Sequence, residues 1–188
     1  NSVQLAEAEE RLGAAITTGA TLDRTLVTLT ALTPNLGPSL DLLSDVIRNP
    51  AFDPREVERL RQQQLAAIAQ ELTQPGAMAS RALPIVLYGP QHPYGKPASG
   101  NGDPDAVRAL TRDDLVRFHQ TWIRPDNATV FAVGDLPLDR FVEQLESRLG
   151  NWTPPSAARG TKRVAAAVPQ PRPGVELIDR PPSAQSFL

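Results

Sequence analysis

A chain of 188 residues is long enough for one domain of ordinary size with its own core. Its 19 Lys and Arg against 21 Asp and Glu give a net charge of −2, which excludes a general electrostatic attraction to nucleic acid or anionic lipid. The absence of cysteine excludes disulfides and thiol chemistry and is compatible with an oxidising compartment, and no apolar run approaches the roughly 20 residues of a membrane span.

The first segment predicts a helix followed by two strands. Residues 3–12 are typical of a helix that ends at Gly13, and residues 14–22 and 24–32 are typical of strands. In the second strand apolar residues alternate with others that include two threonines, which predicts one apolar and one threonine-rich face. Gly19 suggests a bulge or a close backbone approach in the first strand. Because the chain opens directly into an acidic helix, without a signal-peptide pattern, we expect it to begin inside a fold.

Residues 52–75 contain the strongest helix signal of the chain. Asp53 suits the N-cap, Pro54 the first helical position, and Glu56 completes a capping box. An apolar stripe at helical spacing comprises Val57, Leu60, Leu65, Ile68 and Leu72. Pro75 is expected to end this helix after about five turns.

The remaining elements mix helices with strands. Further helices are predicted over residues 38–49, 77–87, 104–110, 111–122 and 137–149. Residues 127–133 are typical of a buried strand and residues 175–178 of a last strand, whereas the proline-rich residues 153–174 indicate a linker. This order predicts an α+β fold with a mixed, mainly antiparallel sheet and helices packed on one face.

Four stretches occur in an order and spacing that cover most of residues 5–152. They are Leu12-Gly13 with the threonine-rich strands; Asn49-Pro50-Ala51-Phe52 with the long helix; Leu87-Tyr88-Gly89 with His92-Pro93-Tyr94-Gly95 and Gly100; and Arg124-Pro125 with Asn127-Ala128, Val133-Gly134-Asp135 and Gly150-Asn151-Trp152. Together they resemble the insulinase/pitrilysin family of zinc metallopeptidases, which includes mitochondrial processing peptidase subunits. The ending Leu177-Ile178-Asp179-Arg180-Pro181 with Gln185-Ser186 resembles the join from one family domain to the next.

The resemblance implies a duplicated α+β domain and a chamber that cleaves unfolded peptides. Residues 1–152 would be a partial peptidase-family domain that lacks its first elements, residues 153–174 a linker, and residues 175–188 a strand and the start of the next domain. In such a site an H-x-x-E-H helix supplies two zinc ligands and a general base, and a later glutamate is the third ligand. This chain has only His92 and His119, so an H-x-x-E-H motif would lie upstream of residue 1.

The family's later glutamate has a matching helix here, namely the long helix at residues 52–75. A gapless alignment on the N-cap and the terminal proline places Ala67 at the ligand position and Leu60 at an earlier glutamate position, and neither binds zinc. A register slipped along the helix would offer Glu71, with Gln64 as its earlier partner. We therefore expect a non-catalytic copy without catalytic or metal-binding residues, which helps form a protease chamber. The alternative is part of an active zinc endopeptidase with Glu71 as third ligand.

Simpler interpretations apply to the same residues. Glu71 near a helix end is typical of a solvated charge, and His92 in a glycine- and proline-rich loop is typical of a turn residue bonded to backbone. His119 is expected at the surface or the rim. Tyr88 and Tyr94 are expected to pack the loop.

The resemblance also implies a peptide-binding strand. Substrates of the family add as a strand to an exposed sheet edge, and this edge matches Ile16, Thr17, Thr18 and Gly19. Main-chain pairing does not require particular side chains, although these four are equally consistent with an ordinary strand.

The expected partners are an unfolded peptide and a second peptidase-family domain or subunit, without nucleic acid. Zinc would belong to the full-length protein or the partner, not to this segment. An unpaired sheet edge would also favour a homo-oligomer of the fragment, unless the chain's own tail at residues 175–178 covers that edge. Similarity to exported bacterial members indicates the periplasm, with the cytoplasm as the alternative.

Overall fold

The computed structural model describes residues 2–164 and 174–179. Within these residues the chain forms seven α-helices, two 3-10 turns and two β-strands, which confirms the predicted α+β class. The elements are α1 (Ser2–Leu12), β1 (Ala15–Ala20), β2 (Thr25–Thr30), α2 (Leu36–Arg48), α3 (Pro54–Glu71), α4 (Pro75–Tyr88), α5 (Pro104–Ala109), α6 (Arg112–Trp122) and α7 (Leu138–Leu149), with 3-10 turns at Thr33–Asn35 and Pro125–Asn127. No helix in this part of the chain is long and apolar enough to cross a bilayer.

The chain divides into two units that interleave in sequence. The first is formed by the described parts of residues 1–52 and 113–160, and it contains the strands, α1, α2, most of α6, and α7. The second is formed by residues 53–112 and the described part of residues 161–188, and it contains α3, α4 and α5.

Strands β1 and β2 form an antiparallel hairpin with one continuous register. The backbone N–H groups of Asp23 and Arg24 donate to Thr21 Oγ1, both at 3.2 Å, and the N–H of Thr21 donates to the carbonyl of Arg24 at 2.9 Å. Gly19 keeps the regular register, and a Cβ built on it would meet no atom within 4 Å. The prediction of a bulge or close approach at Gly19 is therefore wrong, because the strand is open to solvent at that point.

Arg148 of α7 attaches α7 to α2 in the first unit. Its Nε atom donates to the carbonyl of Gly37 at 2.9 Å and lies 2.8 Å from Asp41 Oδ1. Arg48 of α2 also bonds α7 and the residues after it. Its Nη1 donates to the carbonyl of Arg148 at 3.2 Å and to Asn151 Oδ1 at 2.8 Å. Arg148 thus bonds the backbone in the first turn of α2, and Arg48 bonds the backbone in the last turn of α7.

The chain forms a corner after α6, at Arg124. This residue is only 4% exposed. Its guanidinium makes a two-point ion pair with Asp126, at 2.8 and 3.0 Å. It also donates to the carbonyls of Ala157 at 2.6 Å and Pro155 at 3.3 Å. The first residues of the predicted linker are consequently held against this corner.

Helix α3 begins with the N-cap and the proline that its sequence predicts, whereas the side chain of Glu56 pairs with Arg59 at 2.9 Å. The carboxylate of Asp53 accepts the N–H of Arg55 at 2.8 Å, and Pro54 occupies the first helical position. The helix ends at Glu71, and Pro75 then opens α4. Pro75 thus starts α4 instead of directly ending α3, because its fixed φ suits a first helical turn and it needs no N–H partner there.

Arg61 connects α3 to α5 in the second unit. Its guanidinium donates to the carbonyls of Val107 and Leu110, the latter at 2.7 Å, and so satisfies the carbonyl groups at the end of α5.

Ile68 on α3 is 1% exposed. Among the described residues, only Ile68 and Leu40 of α2 are fully buried apolar side chains, so much apolar surface remains accessible in both units.

Residues 127–133 do not form the predicted buried strand. Asn127 ends a 3-10 turn and residues 128–133 have no helical or strand structure. Phe131 is 89% exposed and Val133 is fully exposed. In the described part of the chain β1 and β2 pair only with each other, so this segment has no neighbouring strand to cover one face and bond its backbone.

The predicted last strand at residues 175–178 is also absent. Residues 174–179 form no helix or strand, and Val175 and Leu177 are exposed. The expectation that this tail covers the sheet edge is therefore wrong for the described structure. Residues 153–164 have no regular structure, and residues 165–173 and 180–188 lie outside the described residues.

Candidate functional site

One edge of β1 is open in the described structure. The N–H of Ile16 donates to Glu9 Oε1 at 2.5 Å and therefore faces away from β2. Alternate residues of an antiparallel strand turn their backbone groups to opposite sides, so Thr18 and Ala20 also face the open edge. This edge offers hydrogen-bonding groups to an added strand.

The four residues predicted for peptide binding lie consecutively on β1. Thr17, Thr18 and Gly19 are exposed, and Ile16 is half-buried. Thr17 and Gly19 direct their backbone groups to β2, so Ile16 and Thr18 are the two that present backbone groups to the open edge. Ala20 also faces the open edge, but the sequence prediction did not include it. The two-residue period of a strand was the signal that could have identified it.

Helix α3 carries the positions considered for a metal ligand. Leu60 is exposed and Ala67 is half-buried, and neither side chain has an atom that coordinates zinc. Gln64 donates through Nε2 to the carbonyl and the Oδ1 of Asn101, at 3.0 and 3.1 Å. Gln64 thus attaches α3 to the loop that follows α4.

Glu71, the remaining candidate, is engaged in a polar network. Arg81 Nη1 of α4 lies 2.6 Å from Glu71 Oε2, and Asn101 Nδ2 donates to Glu71 Oε1 at 2.5 Å. The second Nη of Arg81 donates to the carbonyl of Gly102 at 2.7 Å. Both carboxylate oxygens of Glu71 therefore have charged or polar partners, which the prediction of a solvated charge did not anticipate.

The environment of Glu71 favours its charged form. Burial raises the pKa of this carboxyl group, but hydrogen bonds from Arg81, Asn101 and Ser99, with the attraction of the Arg81 charge, outweigh burial and lower the pKa below its usual value. The carboxylate is thus held ionised by side chains of the protein.

The loop after α4 is organised around His92, which is 5% exposed. Its Nδ1 accepts the N–H of Tyr94 at 3.1 Å, and its ring stacks on Tyr88 with centroids 5.4 Å apart. Nε2 is buried without a hydrogen-bond partner among the described residues. A Cβ on Gly95 would lie 1.9 Å from the carbonyl oxygen of Gly89, so the turn requires glycine. His92 is the backbone-bonded turn residue that the sequence indicated.

His119 has a different environment from His92. Its Nε2 lies 2.7 Å from the carbonyl oxygen of Ile47, and Phe52 meets its ring edge to face with centroids 5.9 Å apart. The residue is half-buried, so it attaches α6 to the end of α2 and is not a plain surface residue. Within the described residues no three His, Cys, Asp or Glu side chains come together in a group that could hold a metal.

Comparison with known families gives two matches along the chain. Residues 1–88 match the model of insulinase, peptidase family M16. Residues 109–187 match a model described as the inactive domain of peptidase M16.

Curated relatives cover different parts of the chain. An uncharacterized zinc protease of Mycobacterium leprae is 25% identical over 150 residues, which are 80% of this chain and 33% of that protein. The mitochondrial presequence protease of Danio rerio is 40% identical over 57 residues, which are 30% of this chain and 5% of that protein. The chain therefore spans at most about a third of these two relatives.

Solved structures resemble the chain over most of its length. A peptidase M16 inactive domain from Pseudomonas fluorescens is 27% identical with a TM-score of 0.73, over 86% of this chain and 39% of that one. The first half of the periplasmic protease PqqL from Escherichia coli has a TM-score of 0.68 at 17% identity, over 86% of this chain and 35% of that one. The second similarity concerns the fold alone.

Proposed function

Because the chain belongs to the insulinase/pitrilysin (M16) family of zinc metallopeptidases, we propose that it is a non-catalytic copy of the family domain that helps form the peptide-binding chamber of a protease. The observation that carries the proposal is the pairing of Glu71 with Arg81 at 2.6 Å. The Arg81 guanidinium thus neutralises this carboxylate within the protein. The match of residues 109–187 to an inactive-domain model agrees with this interpretation.

The proposed role of the domain is to hold an extended peptide along β1. Thr18 and Ala20 present backbone donors and acceptors at an open edge, and an extended peptide adds to such an edge through main-chain hydrogen bonds. The exposed Thr17, Thr18 and Gly19 leave the strand accessible from solvent. Affinity would come from the backbone, which suits unfolded peptides of varied sequence.

The second candidate function is that of an active zinc endopeptidase with Glu71 as third ligand. It would require Glu71 to bind zinc although Arg81 and Asn101 already bond its two carboxylate oxygens. Displacing Arg81 would leave its guanidinium, which is only 13% exposed, without its carboxylate partner. The non-catalytic assignment requires no such rearrangement, and we prefer it.

The full protein would supply what this segment lacks. Zinc would be bound by another domain or subunit, because a curated relative of this chain is described as a zinc protease, whereas the described residues of the chain contain no metal-binding group. The segment boundaries proposed above, at residues 152 and 174, would separate this domain from the next. A periplasmic location is part of the proposal and rests on the similarity to exported bacterial members.

A test of the proposal measures zinc content, peptide hydrolysis and peptide binding by fluorescence anisotropy on the 188-residue chain. We expect binding of an unfolded peptide, no stoichiometric zinc and no hydrolysis. Thr18→Pro should weaken binding, because it removes an outward-facing N–H that β1–β2 pairing does not use, whereas Thr18→Ala should preserve it. The two candidate functions are separated in the full-length protein, where loss of both zinc and hydrolysis in Glu71→Gln would overturn the non-catalytic assignment.

A further inference from the structure

The side chain of Glu9 accepts a hydrogen bond from the first N–H group of β1 that faces away from β2. We propose that this carboxylate sets the register and the charge preference of a peptide bound along the strand, an inference that rests on the proposed function of β1 as a peptide-binding edge. Glu9 lies on α1 and is half-buried, and its Oε1 accepts the N–H of Ile16 at 2.5 Å. A side chain of the protein thus takes a bond that an added strand would otherwise make.

The hairpin turn independently establishes which groups of β1 face outward. Thr21 and Arg24 are joined by an N–H to carbonyl bond at 2.9 Å across the turn, so they form a hydrogen-bonded pair. Successive residues of a strand turn their backbone groups to alternate sides. Ala20, Thr18 and Ile16 therefore face the side opposite to β2. The contact between Ile16 and Glu9 agrees with this alternation.

An added peptide would therefore pair with Thr18 and Ala20 and leave the strand before Ile16. A peptide residue opposite Ile16 would bring its carbonyl oxygen to the N–H that Glu9 already holds. Two acceptors would then compete for one donor, and one of them is charged, so the peptide carbonyl would lose its hydrogen bond and face a negative charge. Glu9 thus shortens the paired segment by one outward-facing residue.

The same carboxylate should favour positive charge at the end of the bound segment. A lysine or arginine side chain that reaches Glu9 gains an attraction, and an aspartate or glutamate there is repelled. Such partly exposed charge pairs are worth about 0.2–1 kcal/mol, which corresponds to a preference of roughly one and a half- to fivefold in dissociation constant. The expected ligand is an extended peptide with a basic residue at that end.

The first measurement is residue-resolved amide hydrogen exchange of the free chain. In Glu9→Ala the Ile16 amide should exchange about tenfold faster or more, since it loses a bond to a charged acceptor. Glu9→Gln retains an acceptor oxygen and should keep much of the protection. Glu10→Ala is the matched control, because Glu10 is its exposed neighbour on α1 and loses the same charge. Equal exchange of Ile16 in all four proteins would overturn the inference.

The second measurement repeats the exchange with a pair of unfolded peptides that differ by lysine or glutamate at one end. We expect protection of Thr18 and Ala20 in every protein, added protection of Ile16 by peptide only in Glu9→Ala, and loss of the lysine preference in Glu9→Gln and Glu9→Ala. Protection of Thr18 and Ala20 with the same register and the same preference in wild type and variants would overturn this inference alone. No protection of Thr18 and Ala20 by either peptide would overturn the proposed function as well.

Discussion

Arg81 Nη1 and Glu71 Oε2 lie 2.6 Å apart, and their side chains are only 13% and 17% exposed. The other carboxylate oxygen accepts from Asn101. A pair so shielded from water is screened less by salt than a surface pair, and each carboxylate oxygen of Glu71 already has a partner within the protein. The Glu71 carboxylate therefore joins α3, α4 and the loop after α4.

Glu71→Gln should leave the zinc content and peptide turnover of the full-length protein nearly unchanged. The reason is that Glu71 bonds Arg81 and Asn101, whereas a true third ligand is one of three protein contacts to the metal and its loss should cost orders of magnitude in activity. Metal analysis and a peptide cleavage assay check this, with Glu56→Gln on the same helix as the matched control. Loss of both zinc and turnover in Glu71→Gln would instead support the active-enzyme alternative.

The ion pair should make stability depend on pH in the acidic range. The pKa of Glu71 is lower in the folded chain than its usual value of about 4.3, so the folded state binds the proton less tightly than the unfolded state. The stabilisation is therefore complete above the usual pKa and is lost as pH falls through the folded pKa. Urea unfolding should show Glu71→Gln less stable than wild type by about 1–2 kcal/mol at pH 7 and by a smaller margin near pH 3. A constant difference across this range would contradict the assignment.

Arg124→Lys should destabilise the first unit and release the segment that follows α7. The lysine ammonium cannot reproduce the two-point pair with Asp126 and also reach the carbonyls of Ala157 and Pro155. We expect a loss of about 2–4 kcal/mol in unfolding free energy. Limited proteolysis should cut residues 153–160 faster in the variant. Arg140→Lys, at an exposed ion pair, is the control and should change stability by less than about 0.5 kcal/mol.

Tyr94→Ala should lower stability by about 1–3 kcal/mol. The half-buried ring lies 5.9 Å from Tyr88 and 5.6 Å from His92, centroid to centroid, and its removal leaves that cluster without one of its three rings. Tyr94→Phe keeps the ring and should lose less. Thermal unfolding of both variants checks this, and a change within error for Tyr94→Ala would mean that the ring contributes no packing.

The 188-residue chain is expected to self-associate through residues 128–133. This segment has exposed Val130, Phe131 and Val133, no charged side chain and no proline, which are properties of an aggregation-prone segment. Phe131→Lys should shift light scattering toward monomer, whereas Val3→Lys, at an exposed site on α1, should not. A monomeric wild-type chain at high concentration would contradict this expectation.

Local chemistry explains why most helices were predictable. Asp53 bonds the N–H of Arg55 at the start of α3, as the Asp-Pro pair indicated, and Asp103 caps α5 in the same way. These signals act within a few residues and need no distant partner. The strand predicted at residues 127–133 was wrong for the opposite reason, since its apolar run becomes a strand only when another strand lies beside it.

The sequence by itself determined the family, the α+β class and the absence of a zinc-binding side chain at Ala67, because each depends on residue identity and order along the chain. Only the tertiary structure decided what surrounds Glu71, since Arg81 and Asn101 are 10 and 30 residues away. It also decided which groups of β1 stay open and that Glu9 already holds one of them. Partner choice between distant residues depends on how the elements pack, and no local pattern encodes it.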